Sequence, residues 1–128
     1  MRRIEIGLDV PWTPEGVRVA CAALTTINRL LMRWWARAGR PAPSLYRSGV
    51  TYTRRPPEHF EAFPAVLRRG AGDCDQLACW RAAELRERGI GATAVPIQKR
   101  RDLMHIVVRW PDGRIEDPSK LLGMGRRR

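Results

Sequence analysis

Ile4, Ile6, Leu8 and Val10 alternate with Arg3, Glu5, Gly7 and Asp9, a period of two that predicts a half-buried β-strand closed by Pro11. The period then changes. Val17, Ala20, Leu24, Ile27, Leu31 and Trp34 recur at three- and four-residue steps. They predict a helix with one side on the core and Arg18, Arg29, Arg33 and Arg37 mainly on other faces. Thr13-Pro14-Glu15 supplies its start: a capping hydroxyl, a proline at the first helical position and an acid in the first turn. Gly39, Pro41 and Pro43 stop it near Ala38. Residues 40–58 read as a surface connection holding one short strand, Gly49–Thr53, and Glu58–Arg69 as a weaker helix interrupted at Pro64.

After Gly70-Ala71-Gly72, Asp73 can cap a helix whose third residue is Gln76, a D-x-x-Q capping box. Leu77, Ala78, Ala82 and Leu85 then form one apolar face up to Gly89. Ala92–Gln98 and Met104–Trp110 predict strands, and Pro111-Asp112-Gly113 a turn into Arg114–Asp117. A three-residue loop there sets Trp110 opposite Arg114 and Asp117 opposite Val107. His105 shares a sheet face with Val107, so Asp117 becomes its diagonal neighbour, about 7–8 Å away between backbones. The element order predicts an α+β domain, and 128 residues suffice for one core.

Composition narrows the function classes. The longest charge-free stretch in the apolar N-terminal half, Val19–Asn28, has ten residues where a membrane span needs about 20. The start lacks an apolar run with a small-residue cleavage site, so the expected compartment is the cytoplasm. Cys21, Cys74 and Cys79 are an odd set without C-x-x-C spacing, which argues for free thiols and against disulfides or a zinc knuckle. A zinc site from Cys74, Cys79, His59 and His105 is disfavoured by unmatched spacing, and no metal or cofactor is expected. Cys21 and Cys79 read as packing residues, His59 as exposed, Trp80 and Trp110 as core or cleft-wall aromatics. One of the adjacent Trp34-Trp35 pair should face outward.

Cys74 falls at the first helical position, where free amides and the helix dipole favour a thiolate and can face an oxyanion. His105 follows on a strand, and Asp117 ends the next one, within reach to orient the imidazole. A cysteine activated by a histidine that an acid holds in place is the logic of thiol acyl transfer. Each residue alone has a plainer use: a small buried hydrophobe, a core histidine, a turn-forming acid before Pro118. The three in this order are more specific than any one.

Gly72-Asp73-Cys74-Asp75-Gln76-Leu77-Ala78, Met104-His105-Ile106-Val107-Val108 and Asp112 to Ser119 resemble the transglutaminase-like branch of the papain-like fold, in the short single-domain form carried by bacteriophages and prophages. The resemblance runs over residues 48–124, between an N-terminal strand and helix (1–40) and a basic tail (125–128). It implies a central helix beginning at the cysteine, packed on an antiparallel sheet that carries the His and Asp. It implies Cys74 as nucleophile, His105 as general base and then acid, and Asp117 as the residue orienting the imidazole. Where the phage forms usually have a second acid, this chain has Gln76, and Arg54-Arg55 replaces a more mixed region. The implied activity is attack on a peptide or glutamine amide through a thioester. Without a calcium-loop pattern, hydrolysis is the simpler expectation over cross-linking.

Two rival readings use the charge, 24 Lys+Arg against 13 Asp+Glu for a net +11. One is a basic nucleic-acid-binding module. The other is a phage morphogenesis or packaging component that uses the fold as a scaffold against virion proteins. Residues 1–40, 41–70, 71–98 and 99–128 sum to +4, +3, −1 and +5, so the cysteine's own segment is the one that is not basic. No groove-entering motif accompanies the arginines. The expected partner is a protein or peptide substrate, with weak non-specific nucleic-acid contact and no membrane.

Overall fold

The computed structural model describes residues 2–54, 60–101 and 103–126. Its fold is α+β: helices around a small antiparallel sheet. Helix α1 (Pro14–Arg37) starts where the sequence places it, with the Thr13 hydroxyl accepting from the Gly16 N–H at 3.2 Å. A 3-10 turn at Leu45–Arg47 and strand β1 (Thr51–Tyr52) follow. Next come helix α2 (Phe63–Arg69), strand β2 (Ala71–Gly72) and helix α3 (Cys74–Glu87). Strands β3 (Thr93–Arg100), β4 (Leu103–Arg109) and β5 (Ile115–Glu116) and the short helix α4 (Pro118–Leu121) complete the order. β3, β4 and β5 form the antiparallel sheet, while β1 and β2 pair in parallel through Thr51–Ala71 and Tyr52–Gly72.

α3 is buried on nearly every side, which corrects the single apolar face read from its sequence. Ala78, Cys79, Ala82 and Leu85 meet Val17, Cys21 and Leu24 of α1 and Ala94, Ile106 and Val108 of the sheet. Leu77 and Trp80 meet Leu45, Val50, Phe63 and Val66 in a second cluster. A helix between two cores has no face left for solvent, and its small residues toward the sheet let it approach closely. Asn28 of α1, fully buried, accepts the Phe63 N–H at 2.8 Å and so pins the start of α2 to α1.

Three sequence expectations are corrected. Residues 3–10 form no strand, and Ile4 and Ile6 are 83% and 76% exposed; an alternating segment is stable as a strand only with a neighbour to pair with. α2 starts at Phe63, with Pro64 in its first turn, where the missing N–H costs nothing, so the proline opens the helix instead of interrupting it. The strand expected at Gly49–Thr53 shrinks to two residues. Glu58, His59 and Arg55 lie outside the described residues, as do Arg127 and Arg128 of the tail.

Gly72 owes its place to close packing. A Cβ there would lie 2.9 Å from Val66 Cγ1 and 3.1 Å from Leu77 Cδ2, both in the buried cluster. Gly72→Ala is expected to cost about 1–3 kcal/mol, as overpacking does. Urea denaturation should show a lower midpoint with an unchanged slope. No helix among the described residues is long and apolar enough to cross a membrane.

Candidate active site

The site is built from the start of α3 and from the β4–β5 hairpin. At the start of α3 the capping box is complete. The Asp73 carboxylate accepts from the Cys74 N–H at 2.7 Å and from the backbone of Gln76, while the Gln76 Oε1 accepts from the Asp73 N–H at 2.9 Å. Gln76 also donates through Nε2 to Glu61 Oε1 at 2.9 Å, tying the cap to the chain leading into α2. Burial pushes the Glu61 carboxyl up, but hydrogen bonds from Arg69 and Gln76 and the charge of Arg3 overcome it and hold Glu61 below the usual carboxylate range.

Cys74 is the first residue of α3 and is half-buried, whereas Cys21 and Cys79 are fully buried. The Cys79 thiol points at the Cys21 carbonyl at 3.6 Å, and burial, with Cys21 beside it, pushes its pKa well up, as suits an inert packing thiol. Donor atoms of Asp73, Cys74 and Asp75 lie within 4.8 Å of one another. The Asp73 carboxylate is already committed to two helix amides as the cap of α3.

The hairpin takes the register that its three-residue loop requires. Val108 pairs with Glu116 and Arg109 with Ile115, and the Trp110 N–H donates to the Arg114 carbonyl at 2.8 Å. Gly113 closes the turn at φ 89°, where an L side chain is strained. The same register, carried one residue further, sets Asp117 opposite Val107. His105 Nε2 and Asp117 Oδ2 are 2.8 Å apart, both side chains largely buried. Asp117 also caps α4, its Oδ1 accepting from the Lys120 N–H at 3.3 Å. The turn-forming use of this acid and its use as a histidine partner are therefore both realised, one on each oxygen. With Nε2 turned to Asp117, Nδ1 is the ring nitrogen left for chemistry.

The structure brings His105 and Asp117 into direct contact. Cys74 packs, as does Met104, against the hydrophobic cluster that contains Ile106; Met104 and Ile106 are the chain neighbours of His105.

A network unseen in the sequence braces the hairpin. Glu116, beside Asp117, accepts from Arg81 Nε of α3 at 2.6 Å, from Trp110 Nε1 at 3.0 Å and from the Tyr46 hydroxyl. Burial pushes the Glu116 carboxyl up, and the bonds from Arg81 and Tyr46 bring it below its ordinary value; burial and Glu116 raise the Tyr46 hydroxyl. Arg81 also binds Glu84 at 3.0 Å, and Glu84 takes the Leu45 N–H at 3.1 Å. These bonds fasten β5, and with it Asp117, to the central helix. Only charged residues at inward positions of α3 and β5 hint at it in the sequence. Trp110 is half-buried under the Arg114 guanidinium, 4.2 Å from its ring, and Trp80 is a core residue.

No family model, curated protein or solved structure matches the chain.

Proposed function

We propose that the chain is a transglutaminase-like cysteine hydrolase or acyltransferase of papain-like fold, with Cys74 as nucleophile, His105 as base and acid, and Asp117 as the residue that positions His105. The observation that carries the reading is the His105–Asp117 contact at 2.8 Å, supplied by the hairpin that follows the capped Cys74 helix. A buried histidine held by a carboxylate through one nitrogen presents the other in a fixed direction. A half-exposed cysteine at a helix start is where a thiolate is stabilised.

The reaction runs in two halves. His105 Nδ1 takes the Cys74 thiol proton, and the thiolate sulfur attacks an amide carbonyl carbon, with the developing oxyanion at the positive end of the α3 dipole. Collapse breaks the C–N bond. The proton on Nδ1 goes to the leaving amine or ammonia, and the acyl group stays on sulfur as a thioester. Water, deprotonated by Nδ1, then attacks the thioester carbonyl carbon; collapse breaks the C–S bond, the proton on Nδ1 returns to the Cys74 sulfur, and the acid is released, while a primary amine in place of water gives transfer. Hydrolysis of a peptide or glutamine amide is the favoured outcome, since water needs no anchoring site of its own.

Asp117 tests the reading apart from stability. Asp117→Ala is expected to lower turnover by about 10²-fold or more, because the imidazole loses its orientation. Asp117→Asn keeps one acceptor oxygen, enough for either the His105 Nε2–H or the Lys120 N–H but not both, and should recover only part of that loss. The check is hydroxamate formation from a glutamine peptide and hydroxylamine, with thermal stability measured alongside. Equal activity of both variants and the parent would overturn the role given to Asp117.

A further inference from the structure

Helix α1 has a second apolar face that the fold does not use. Val19, Leu30 and Trp34 are 54%, 57% and 51% exposed, and with Ala23 and Ile27 they form a stripe about 130° round the helix from the core-facing Val17, Cys21, Leu24 and Asn28. On one side the stripe runs on through Ala20 and Leu31 to the core-facing side; on the other lies a charged flank, toward α3, where Arg29 and Arg33 both bind Glu87 at 2.7 Å. The sequence expectation is corrected here: it sets Ile27 and Trp34 on the core-facing side with Val17 and Leu24, whereas both lie on the outward stripe and Trp34 is half exposed. Contiguous exposed stripes of this kind mark contact surfaces.

We infer that this stripe binds the same stripe of a second copy, with the two α1 helices antiparallel about a twofold axis near Thr26 and Ile27. The stripe is complementary to itself when reversed. About that axis, Val19 faces Trp34 of the second copy and Ala23 faces Leu30, so each small residue meets a large one, as ridges-into-grooves packing needs. Glu15, the helix's acid in the first turn, comes within a turn of Arg37, its basic residue in the last turn. A parallel pair would set Trp34 on Trp34, leave a gap at Ala23, and stack Glu15 on Glu15 and Arg37 on Arg37. A twofold contact is isologous, so each helix gives and receives the same pairs.

The net charge of +11 on each copy opposes association, and the sharing of Glu87 by Arg29 and Arg33 reduces that opposition at the contact itself. Added salt screens the repulsion and strengthens the apolar contact, so the dimer should tighten as salt rises, opposite in sign to nucleic-acid binding. A single helix pair is at the low end of specific interface sizes, below about 1,200 Å² in total, and micromolar strength is expected.

Sedimentation equilibrium of the full chain from about 1 to 200 μM, at low and high salt, tests this. The expected result is a monomer–dimer equilibrium that shifts toward dimer with salt. Leu30→Gln and Trp34→Gln leave the charge unchanged and should each weaken it at least about tenfold, with circular dichroism showing an intact fold. Glu15→Arg alone and Arg37→Glu alone should weaken it, and the two together should restore it. A monomer throughout the range overturns the inference, as does a dimer indifferent to Leu30→Gln. A chain that stays monomeric but binds vesicles of anionic lipid through Trp34 assigns the stripe to a membrane surface instead. Failure of the double charge exchange to restore association overturns the antiparallel arrangement.

Discussion

Cys74→Ala is expected to remove turnover, by roughly 10⁴-fold or more, while leaving the fold in place. The size follows from the chemistry: without sulfur there is no thioester, and alanine offers no other nucleophile. The intact fold follows from position. Cys74 is half-buried at the edge of the larger core cluster, and its cap is made by Asp73 and Gln76 through backbone and side-chain groups that the substitution does not touch. Alanine is a good helix former at that position, so the thermal midpoint should move by a few degrees at most. The assay is hydroxamate formation from a glutamine peptide with hydroxylamine, with mass spectrometry of the trapped acyl-enzyme. An alanine variant that retains turnover would remove Cys74 from the chemistry.

Gln76→Glu should carry the largest stability loss among the site's conservative changes, about 2–3 kcal/mol near pH 8, or about 10 °C in Tm. The Gln76 amide works at both ends: Oε1 accepts from the Asp73 N–H, and Nε2 donates to Glu61 at 2.9 Å. A carboxylate keeps the first bond and turns the second into a facing pair of negative charges. Glu61 already sits below the ordinary carboxylate range because of its donors, Gln76 among them, so it resists protonation. The introduced carboxyl then has a folded pKa raised above its unfolded value of about 4.3. Its penalty is full above the folded pKa and fades as pH falls through it, since the protonated form donates to Glu61 again. Denaturant midpoints of parent and variant should therefore converge between pH 8 and pH 5. That window lies above the range in which the parent's own stability from Glu61 is lost to acid. A gap that stays constant with pH would contradict the predicted carboxylate pair.

The parts of the fold with local causes are legible in the sequence. Thr13-Pro14 and Asp73 with Gln76 mark two helix starts that the structure reproduces, because a cap is satisfied by residues three positions apart. The Pro111–Gly113 loop is the most informative stretch: three turn residues fix the register of β4 and β5, and the register brings Asp117 to His105. Where neighbours decide the outcome, local pattern fails. The alternation at residues 3–10 has the strand period but no strand beside it. The periodicity of α1 sets its core face too far round the helix: Val17 and Leu24 are buried as it implies, but Trp34 is left in solvent with Val19 and Leu30, and the fold buries Cys21, Thr25 and Asn28 instead. The bonds of Glu61 to Gln76 and of Glu116 to Arg81 and Tyr46 join residues 15 to 70 positions apart, beyond any sequence period.

The net charge of +11 falls largely outside the α3 segment that carries the cysteine, so it bears on partners more than on the chemistry. What decides the central claim is whether His105 activates Cys74. The direct measurement is the rate at which iodoacetamide alkylates each cysteine at pH 7 in the native chain and in His105→Ala, followed by mass spectrometry. Cys74 should label faster than free cysteine at that pH, Cys21 and Cys79 only on unfolding, and His105→Ala should slow Cys74 by about tenfold or more. A Cys74 that labels no faster than free cysteine, and at the same rate without His105, would contradict the assignment of this chain as a thiol acyl-transfer enzyme.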